Sequence, residues 1–421
     1  MPEHNEPEQK KFLRLAILTA VFLGAFPLVS SAALPPRVIV LGFDGADHAL
    51  VEKGIAEGRL PNLAALAAKG GFSALNPTIP AQTPVSWSTF STGLSPGRTM
   101  IFDFLKRNPK TYRPEFAIAE EGKKNFLFGK GNSIAVPAIL AIVAFVLVLL
   151  LSKILLRRRV SSLGLGAVVT AGVAAALFAF LGVRVSALLP SEIPWPINNR
   201  RGTPFWEEAG RKGIASVVMH VPVTFPAVDY DHGRLLSGLG VTDVRGRVGT
   251  PSFYTSDPFF APKNKNEFSV ELVRLESNKG TIETEVFGPY NKLFKEPPVI
   301  KTPMTLTLAA DGGSLTVAPK GSSPVTLKPG EWSPWVVFTF TFNSLVKMTG
   351  IGRFHLVATS PEIKLYLSPI HFNPSDLPPS VKITAPGALA KKLADRYGLY
   401  KTMGWQIDTW SMSEETIDEK A

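Results

Sequence analysis

Apolar residues occur along this chain in runs of three different kinds. Residues 38–41, Val-Ile-Val-Leu, form a short β-branched run that ends in a glycine-containing turn at residues 42–45, which predicts a strand buried on both faces. Residues 134–151 and 163–183 are longer and almost wholly apolar, so each is long enough to cross roughly 30 Å of hydrocarbon as a helix. Residues 268–383 alternate apolar and polar positions in short stretches, which predicts β-hairpins.

The first predicted strand places a carboxylate at a chemically useful position. Asp44 follows that strand directly, and ligands bind at the carboxyl ends of the strands in open α/β sheets. Residues 47–56 and 60–70 then carry helical patterns, the second with a glycine stop. A lone aspartate after a strand is commonly a turn former or a helix cap, so position alone gives Asp44 no function.

A hydroxyl stands at the start of the next predicted helix. Thr83 precedes Pro84, and because proline favours the first helical position, we predict Thr83 as the N-cap of a helix from Pro84 to about Thr92. A helix N-terminus presents unpaired backbone N–H groups and the positive end of its dipole, which suits a phosphate-like anion. A threonine before proline is also commonly only a cap, so this structural interpretation stays open for Thr83 taken alone.

Several short motifs occur at spacings that are jointly more specific than any one of them. They are Asp-Gly at 44–45, Leu-Pro-Asn-Leu at 60–63, Thr-Pro at 83–84, Thr-Gly at 92–93, Pro-Gly-Arg at 96–98, Ile-Phe-Asp-Phe at 101–104, Phe-Trp at 205–206 and Gly-Arg-Leu-Leu-Ser-Gly-Leu-Gly at 233–240. Together they resemble the amino-terminal half of the type I phosphodiesterase/nucleotide pyrophosphatase branch of the alkaline phosphatase superfamily.

The resemblance implies a role for each of the two leading residues. It implies that Asp44 binds one of two metal ions, usually zinc, and that Thr83 is the nucleophile and also a metal ligand. A threonine hydroxyl is a poor nucleophile unless a base or a metal activates it, and a pair of cations neutralises charge that develops on the phosphoryl oxygens. The resemblance thus implies a metal-dependent hydrolase of phosphate esters.

That family takes its remaining metal ligands, further aspartates and histidines, from its carboxyl-terminal half. After Gly-Trp-Gln-Ile-Asp-Thr-Trp at residues 404–410, this sequence ends at Ala421, before those ligands are expected. We therefore expect these 421 residues to lack the C-terminal metal ligands and to be inactive as an isolated fragment.

The six histidines of the chain do not replace the expected ligands. Asp231 and His232 resemble a ligand pair, but they run straight into the Gly-Arg-Leu-Leu motif, so a surface histidine is the better interpretation. We interpret His371 as structural. His48, four residues beyond Asp44, is either close to the metal or a solvent-facing helix residue.

The amino terminus has the features of an export signal. Basic residues at 10–14 precede an apolar run at 15–29 and the small residues Ser-Ser-Ala-Ala at 30–33. Residues 1–33 are therefore predicted to be a signal peptide or an N-terminal membrane anchor.

The two long apolar runs predict a transmembrane helical hairpin with a defined orientation. Lys153 and the three arginines at 157–159 lie between them, and a short basic loop favours the cytoplasmic side. The domain that carries Asp44 and Thr83 is thus expected on the extracytoplasmic side of the cell membrane, periplasmic or extracellular, in agreement with the export signal.

Composition and charge narrow the function classes. The chain has no cysteine, which excludes a disulfide framework and thiolate metal ligands. A sulfatase of the same superfamily is disfavoured, because no Cys/Ser-x-Pro-x-Arg motif occurs at or after Thr83. The formal charge of +11 is densest between the two apolar runs, so we attribute it to topology and to anionic membrane lipid, and expect no nucleic-acid partner.

The sequence predicts an α/β fold: an alkaline phosphatase-like sheet sandwiched by helices, incomplete here, with an inserted transmembrane helical hairpin and a β-rich insertion. The predicted segments are the signal or anchor at 1–33, a first α/β part at 34–130, the hairpin at 131–189, the α/β continuation at 190–267, the β-rich insertion at 268–383 and a truncated return to the α/β core at 384–421.

Two functions of different classes stay open. The first is a membrane-attached, outward-facing hydrolase of phosphodiesters, pyrophosphates or monoesters, with two zinc ions in the complete enzyme; a lipid-headgroup phosphotransferase is a close variant. The second is a catalytically incomplete membrane protein whose β-rich segment binds a glycan, lipid or protein partner. The sequence chooses neither the substrate, nor the metal, nor the oligomeric state.

Overall fold

A computed structural model describes residues 37–156, 164–264, 269–277, 279–291, 297–406 and 408–418. The chain divides into two compact units, Met1–Asp44 and Gly45–Ala421. The described part is a mixed α/β structure with several sheets. The predicted signal at residues 1–33 and the arginines at 157–159 lie outside the described residues.

Nine helices are present in the described ranges. They are α1 (His48–Ala56), α2 (Pro61–Lys69), α3 (Thr83–Thr92), α4 (Pro96–Thr99), α5 (Asn132–Leu156), α6 (Leu165–Leu188), α7 (Phe205–Arg211), α8 (Leu389–Tyr397) and α9 (Thr409–Ser413), with a single 3₁₀ turn at Gly129–Gly131 before α5.

The strands of the described ranges fall into two groups along the chain. Before residue 240 they are β1 (Leu105–Arg107), β2 (Pro114–Phe116), β3 (Ala119–Asn125), β4 (Glu192–Asn198), β5 (Ser216–Met219) and β6 (Gly233–Leu236). After it they are β7 (Ser252–Thr255), β8 (Glu271–Arg274), β9 (Thr281–Tyr290), β10 (Val299–Leu308), β11 (Leu315–Pro319), β12 (Val325–Leu327), β13 (Val336–Thr341), β14 (Lys347–Gly352), β15 (Phe354–Ala358), β16 (Lys364–Leu367), β17 (His371–Phe372) and β18 (Thr384–Ala385).

The predicted first strand does not form. Residues 38–41 have no regular secondary structure, and their side chains are exposed, that of Val38 to 89%. The prediction was wrong because a β-branched apolar run supplies only the tendency to form a strand, whereas the ladder hydrogen bonds and the cover on both faces must come from neighbouring elements.

The helices α5 and α6 form an antiparallel pair whose backbones approach closely at one level. A Cβ atom on Gly182 of α6 would lie 2.6 Å from the Cα of Pro137 in α5, so only glycine fits there. The spans Gly129–Leu155 and Leu165–Leu188 are long and apolar enough to cross a membrane. Both predicted apolar helices are therefore present, each a few residues longer than its apolar run.

A two-stranded ribbon of β3 and β4 continues from the ends of this helical pair. The two strands are antiparallel from Ala119 opposite Asn198 to Asn125 opposite Glu192. Strand β4 contains two prolines, which are uncommon inside a sheet. Its prolines, Pro194 and Pro196, are compatible with a strand because a two-stranded ribbon consists only of edge strands.

Asn132 connects the two helices with the base of the ribbon. Its Nδ2 donates hydrogen bonds to the carbonyl oxygens of Phe126 (3.0 Å) and Pro190 (3.1 Å). Its Oδ1 accepts a hydrogen bond from the backbone N–H of Phe128 at 2.9 Å. One buried side chain thus fixes the entry into α5 against the exit from α6.

The α/β part contains a short parallel pair, β5 beside β6, with Ser216 opposite Gly233. Strand β18 extends this sheet on the other side of β6, antiparallel to it. Helix α7 packs on the pair through Trp206, which contacts a small buried cluster with Val218 and Leu235.

The β-rich region is built from three sheets with the strand orders β12-β11-β10-β9, β13-β14-β17 and β15-β16-β7-β8. One β-hairpin of the kind predicted within residues 268–383 is formed by β10 and β11, which pair antiparallel with Leu306 opposite Val317. The largest buried cluster of the described chain lies in this region and includes Phe338, Phe340 and Phe354. Strand β7, although it precedes residue 268, pairs with β16 and belongs to this core.

Candidate active site

Asp44 is the last residue of the first unit. It is exposed and lies in a turn with Gly45, whose φ of +67° is the left-handed conformation that favours glycine. The turn leads into α1, where Asp47 is the N-cap and its Oδ1 accepts a hydrogen bond from the N–H of Leu50 at 2.8 Å. Thr83 belongs to the second unit, so the sharing of a metal by Asp44 and Thr83 stays a prediction.

Thr83 is the first residue of α3, one position further into the helix than predicted. Gln82 is the N-cap, with φ −120° and ψ 143° and without a capping hydrogen bond from its side chain. Pro84 occupies the first turn, where its missing N–H costs nothing. The helix ends at Gly93 in the left-handed conformation, whose N–H donates to Thr89 O at 2.7 Å.

Most other hydroxyls of α3 are committed to the helix itself. Those of Ser88, Ser91 and Thr92 donate to the carbonyl oxygens four residues earlier, at 2.6, 2.7 and 2.7 Å. Such bonds hold a hydroxyl against its own helix backbone.

Thr78 fixes the loop that leads to Thr83, a contact that the sequence analysis did not anticipate. Its Oγ1 lies 2.8 Å from the Oγ of Ser86 in the first turn of α3, and it donates to Pro80 O at 2.9 Å. These bonds hold residues 78–82 against the start of the helix. No sequence signal identifies Thr78, because a threonine in a loop is common and its partner lies eight residues away.

Several motifs that carry the family resemblance meet in space. Phe104, the last residue of the Ile-Phe-Asp-Phe motif, packs on Trp405, with ring centroids 5.9 Å apart. The N–H of Gly404 donates to Val241 O at 3.0 Å, and a Cβ on Gly404 would lie 1.9 Å from Gly238 O. The glycines at 238 and 404 are therefore required by a close backbone approach.

His220 lies at the carboxyl end of β5, the edge of a parallel sheet where ligands bind. Its backbone N–H donates to Leu236 O at 2.9 Å. Partial burial and the nearby Lys401 lower the pKa of its imidazole, so the neutral form, which can bind a metal or accept a proton, predominates at neutral pH. The sequence analysis passed over His220 because it has no carboxylate at a ligand-like spacing.

The other histidines have structural surroundings. His371 is fully buried, and its Nδ1 accepts hydrogen bonds from the N–H groups of Thr402 and Met403, both at 3.2 Å. Burial and then the charge of Lys401 lower the pKa of His371 to about 3. His48 stacks on Phe72 with ring centroids 4.6 Å apart.

The remaining histidines of the described ranges are His232 and His355. His355 is buried and stacks on Trp332 at a centroid distance of 4.7 Å. His232 is exposed in a turn.

The donor set for a metal is limited. Among the residues that the structure describes, no group of three or more His, Cys, Asp or Glu side chains could hold a metal ion. Asp44 and Thr83 offer one carboxylate and one hydroxyl, fewer donors than a single tetrahedral zinc site requires. Metal binding by Asp44 and by Thr83 therefore stays a prediction that requires donors beyond these two.

Comparison with known proteins gives one match. Residues 38–149 match the family model described as type I phosphodiesterase / nucleotide pyrophosphatase. This match confirms the resemblance inferred from the motifs, and it includes both Asp44 and Thr83. No curated protein and no solved structure matches the chain.

Proposed function

We propose that this protein is a membrane-attached, metal-dependent phosphoester hydrolase in which Thr83 attacks phosphorus and Asp44 binds one of two divalent cations, zinc by family analogy. The observation that carries the proposal is the family match over residues 38–149, together with the place of Thr83 as the first residue of α3. The alkaline phosphatase-like sheet is part of the same proposal.

The chemistry assigned to the chain is a covalent transfer in two steps. The Thr83 oxygen forms a bond to phosphorus as the bond from phosphorus to the leaving oxygen breaks, and the hydroxyl proton passes to solvent. Water then attacks the phosphothreonine and restores the hydroxyl. A bound divalent cation would lower the pKa of that hydroxyl and neutralise phosphoryl charge, and it requires donors in addition to Asp44 and Thr83.

Membrane attachment is supported by the two apolar helices, α5 and α6. Lys153 lies near the end of α5 that is remote from the ribbon, and basic residues at a hairpin turn favour the cytoplasmic side. We therefore place the ribbon, the β-rich region and Thr83 on the extracytoplasmic side. A phosphate ester in or near the bilayer is the substrate class that this placement favours.

The test is turnover of a nitrophenyl phosphodiester by the complete gene product in detergent, with and without zinc. Thr83→Ala is expected to lower metal-dependent turnover by about 10⁶-fold, as loss of the nucleophile does in a serine protease. Thr83→Ser keeps the attacking oxygen and should retain activity. Acid quenching during turnover should trap a phosphoryl group on residue 83.

Ser91→Ala is the matched control, because the Ser91 hydroxyl donates to Trp87 O at 2.7 Å near the far end of the same helix. It should leave turnover unchanged. Full zinc-dependent turnover by Thr83→Ala would show that the nucleophile is a different residue. Absence of turnover and of bound metal in the unmodified gene product would instead favour a binding protein.

A further inference from the structure

The turn between β13 and β14, residues 342–346, reaches the end of the second apolar helix. The Nδ2 of Asn343 donates a hydrogen bond to the carbonyl oxygen of Leu188, the last residue of α6, at 2.8 Å. The same side chain organises the turn, since its Oδ1 accepts hydrogen bonds from the N–H groups of Leu345 and Val346, both at 2.9 Å. We call residues 342–346 the tip.

The tip carries an exposed apolar side chain close to the end of α6. Leu345 is 53% exposed although the tip belongs to a region with a well-packed core. Lys347 follows at the start of β14 and is exposed. An exposed leucine beside an exposed lysine is the pattern of a segment that lies in a membrane interface, with the alkyl group in the acyl boundary and the ammonium among the headgroups.

The start of the first apolar helix shows the same pattern. Leu127 and Phe128 are exposed immediately before α5, and Lys130 is exposed in the adjoining turn. Asn132 holds this segment against Pro190, two residues beyond the end of α6. The exposed apolar groups of both segments thus lie where the two apolar helices leave the hydrocarbon.

We propose that the tip is a third membrane contact: Leu345 enters the headgroup region of the leaflet where α5 begins and α6 ends. This inference rests on the membrane attachment proposed above and not on the hydrolytic chemistry. The partner is the lipid surface itself, and the hydrogen bond from Asn343 to Leu188 sets the depth of the contact. The β-rich region is thereby held against the bilayer through the tip, in addition to the attachment of the chain by α5 and α6.

The chain has no cysteine, so a single introduced cysteine can carry an environment-sensitive fluorophore such as NBD at a chosen depth. The test uses three variants, reconstituted in vesicles of phosphatidylcholine and phosphatidylglycerol. Leu345→Cys probes the tip. Leu147→Cys, exposed in the middle of α5, reports whether the helical pair is inserted.

Ala310→Cys is the matched control in another hairpin turn of the same region. Residue 310 is exposed and follows β10. Thr302 near the start of β10 contacts Thr339 of β13 through a hydrogen bond of 2.7 Å, and a Cβ on Gly288, which lies beside the start of β10, would meet Phe340. The far end of β10 is thus roughly 20 Å from these contacts, at about 3.3 Å per residue.

If the tip enters the interface, the label at 345 shows emission at shorter wavelength than the label at 310. It also loses fluorescence to lipids that are spin-labelled near the headgroup, whereas the label at 310 does not. Equal emission and equal lack of quenching at 345 and 310, with the label at 147 quenched by mid-chain spin labels, would overturn the tip contact and leave membrane attachment intact. No quenching at 147 would overturn both.

A second variant tests how the depth is set. Asn343→Asp in the Leu345→Cys background keeps the oxygen that accepts from Leu345 and Val346 but removes the donor to Leu188. The turn should persist while quenching at 345 by lipid labels falls. Unchanged quenching would show that the hydrogen bond to α6 does not set the depth of the tip.

Discussion

The β-rich region and the segments around Thr83 use apolar residues in opposite ways. In the β-rich region, leucine, valine and phenylalanine side chains of three sheets point into one shared cluster. In the other segments, Leu75 and Ile79 before α3 are exposed, as are Val217 and Met219 on β5. An apolar pattern therefore indicates which face of a segment can be buried. Whether that face is buried depends on a second layer that packs on it.

The same substitution made in both regions tests this difference in burial most directly. Leu306 of β10 is 0% exposed and Leu75 is 92% exposed. Leu306→Ala should lower the free energy of unfolding by about 2–5 kcal/mol, because it removes buried methyl groups and leaves a cavity. Leu75→Ala should change it by less than about 0.5 kcal/mol.

Denaturant titration of both variants in the same detergent measures the difference. A large loss of stability for Leu75→Ala would mean that residue 75 is covered in solution. The contrast between the two regions would then disappear.

A smaller effect follows from the buried His371. Its pKa falls from an ordinary 6.5 to about 3 in the folded chain, so folding favours the neutral imidazole. At a pH above 6.5, the pKa of the imidazole in the unfolded chain, both states are neutral and the fold has its full stability. As the pH falls from 6.5 towards 3, the unfolded chain binds a proton that the folded chain does not, so this stability is lost. The free energy of unfolding should therefore fall in that window by up to about 1.4 kcal/mol per pH unit from this group.

His371→Asn isolates that contribution from other titrating groups. The amide oxygen of asparagine can accept the N–H groups of Thr402 and Met403 in place of Nδ1, and it does not titrate. The variant should show a flatter pH dependence of stability between pH 6 and 4 than the unmodified chain. Identical slopes would show that His371 is not buried as a neutral group.

A local effect concerns the attachment of the helical pair at the base of the ribbon. Asn132→Ala removes three hydrogen bonds at the ribbon base, and we expect a local loss of about 1–3 kcal/mol. Faster hydrogen exchange should appear at the backbone N–H groups of β3 and β4 and not in β10 or β11. Asn132→Asp, which keeps the acceptor for Phe128, should have the weaker effect.

Local sequence signals predicted the elements that depend on neighbouring residues. Pro84 and Gly93 delimit α3 to within one residue, since helix caps act over a single turn. The long apolar runs predicted α5 and α6 in the same way. The alternation around Asp311 predicted the hairpin of β10 and β11, because its turn and both strands lie within a short stretch of sequence.

Elements that depend on distant residues were not predicted. Strand β4 forms because it pairs with β3, which lies on the other side of the whole helical hairpin in the sequence, and its two prolines gave no strand signal. The state of residues 38–41 likewise depends on neighbours that the pattern does not specify. For the candidate site, the motifs identified Asp44 and Thr83, while Thr78 and His220 depend on contacts made only in three dimensions.

The close approach of Gly182 to Pro137 has a mechanical consequence. There is no room for a side chain between the two helix backbones at that level. The ends of α5 and α6 near the ribbon therefore cannot separate without losing this contact. The two helices are therefore held together as one unit at that end. In the membrane attachment proposed above, this contact would keep the base of the ribbon at a nearly constant height above the lipid headgroups.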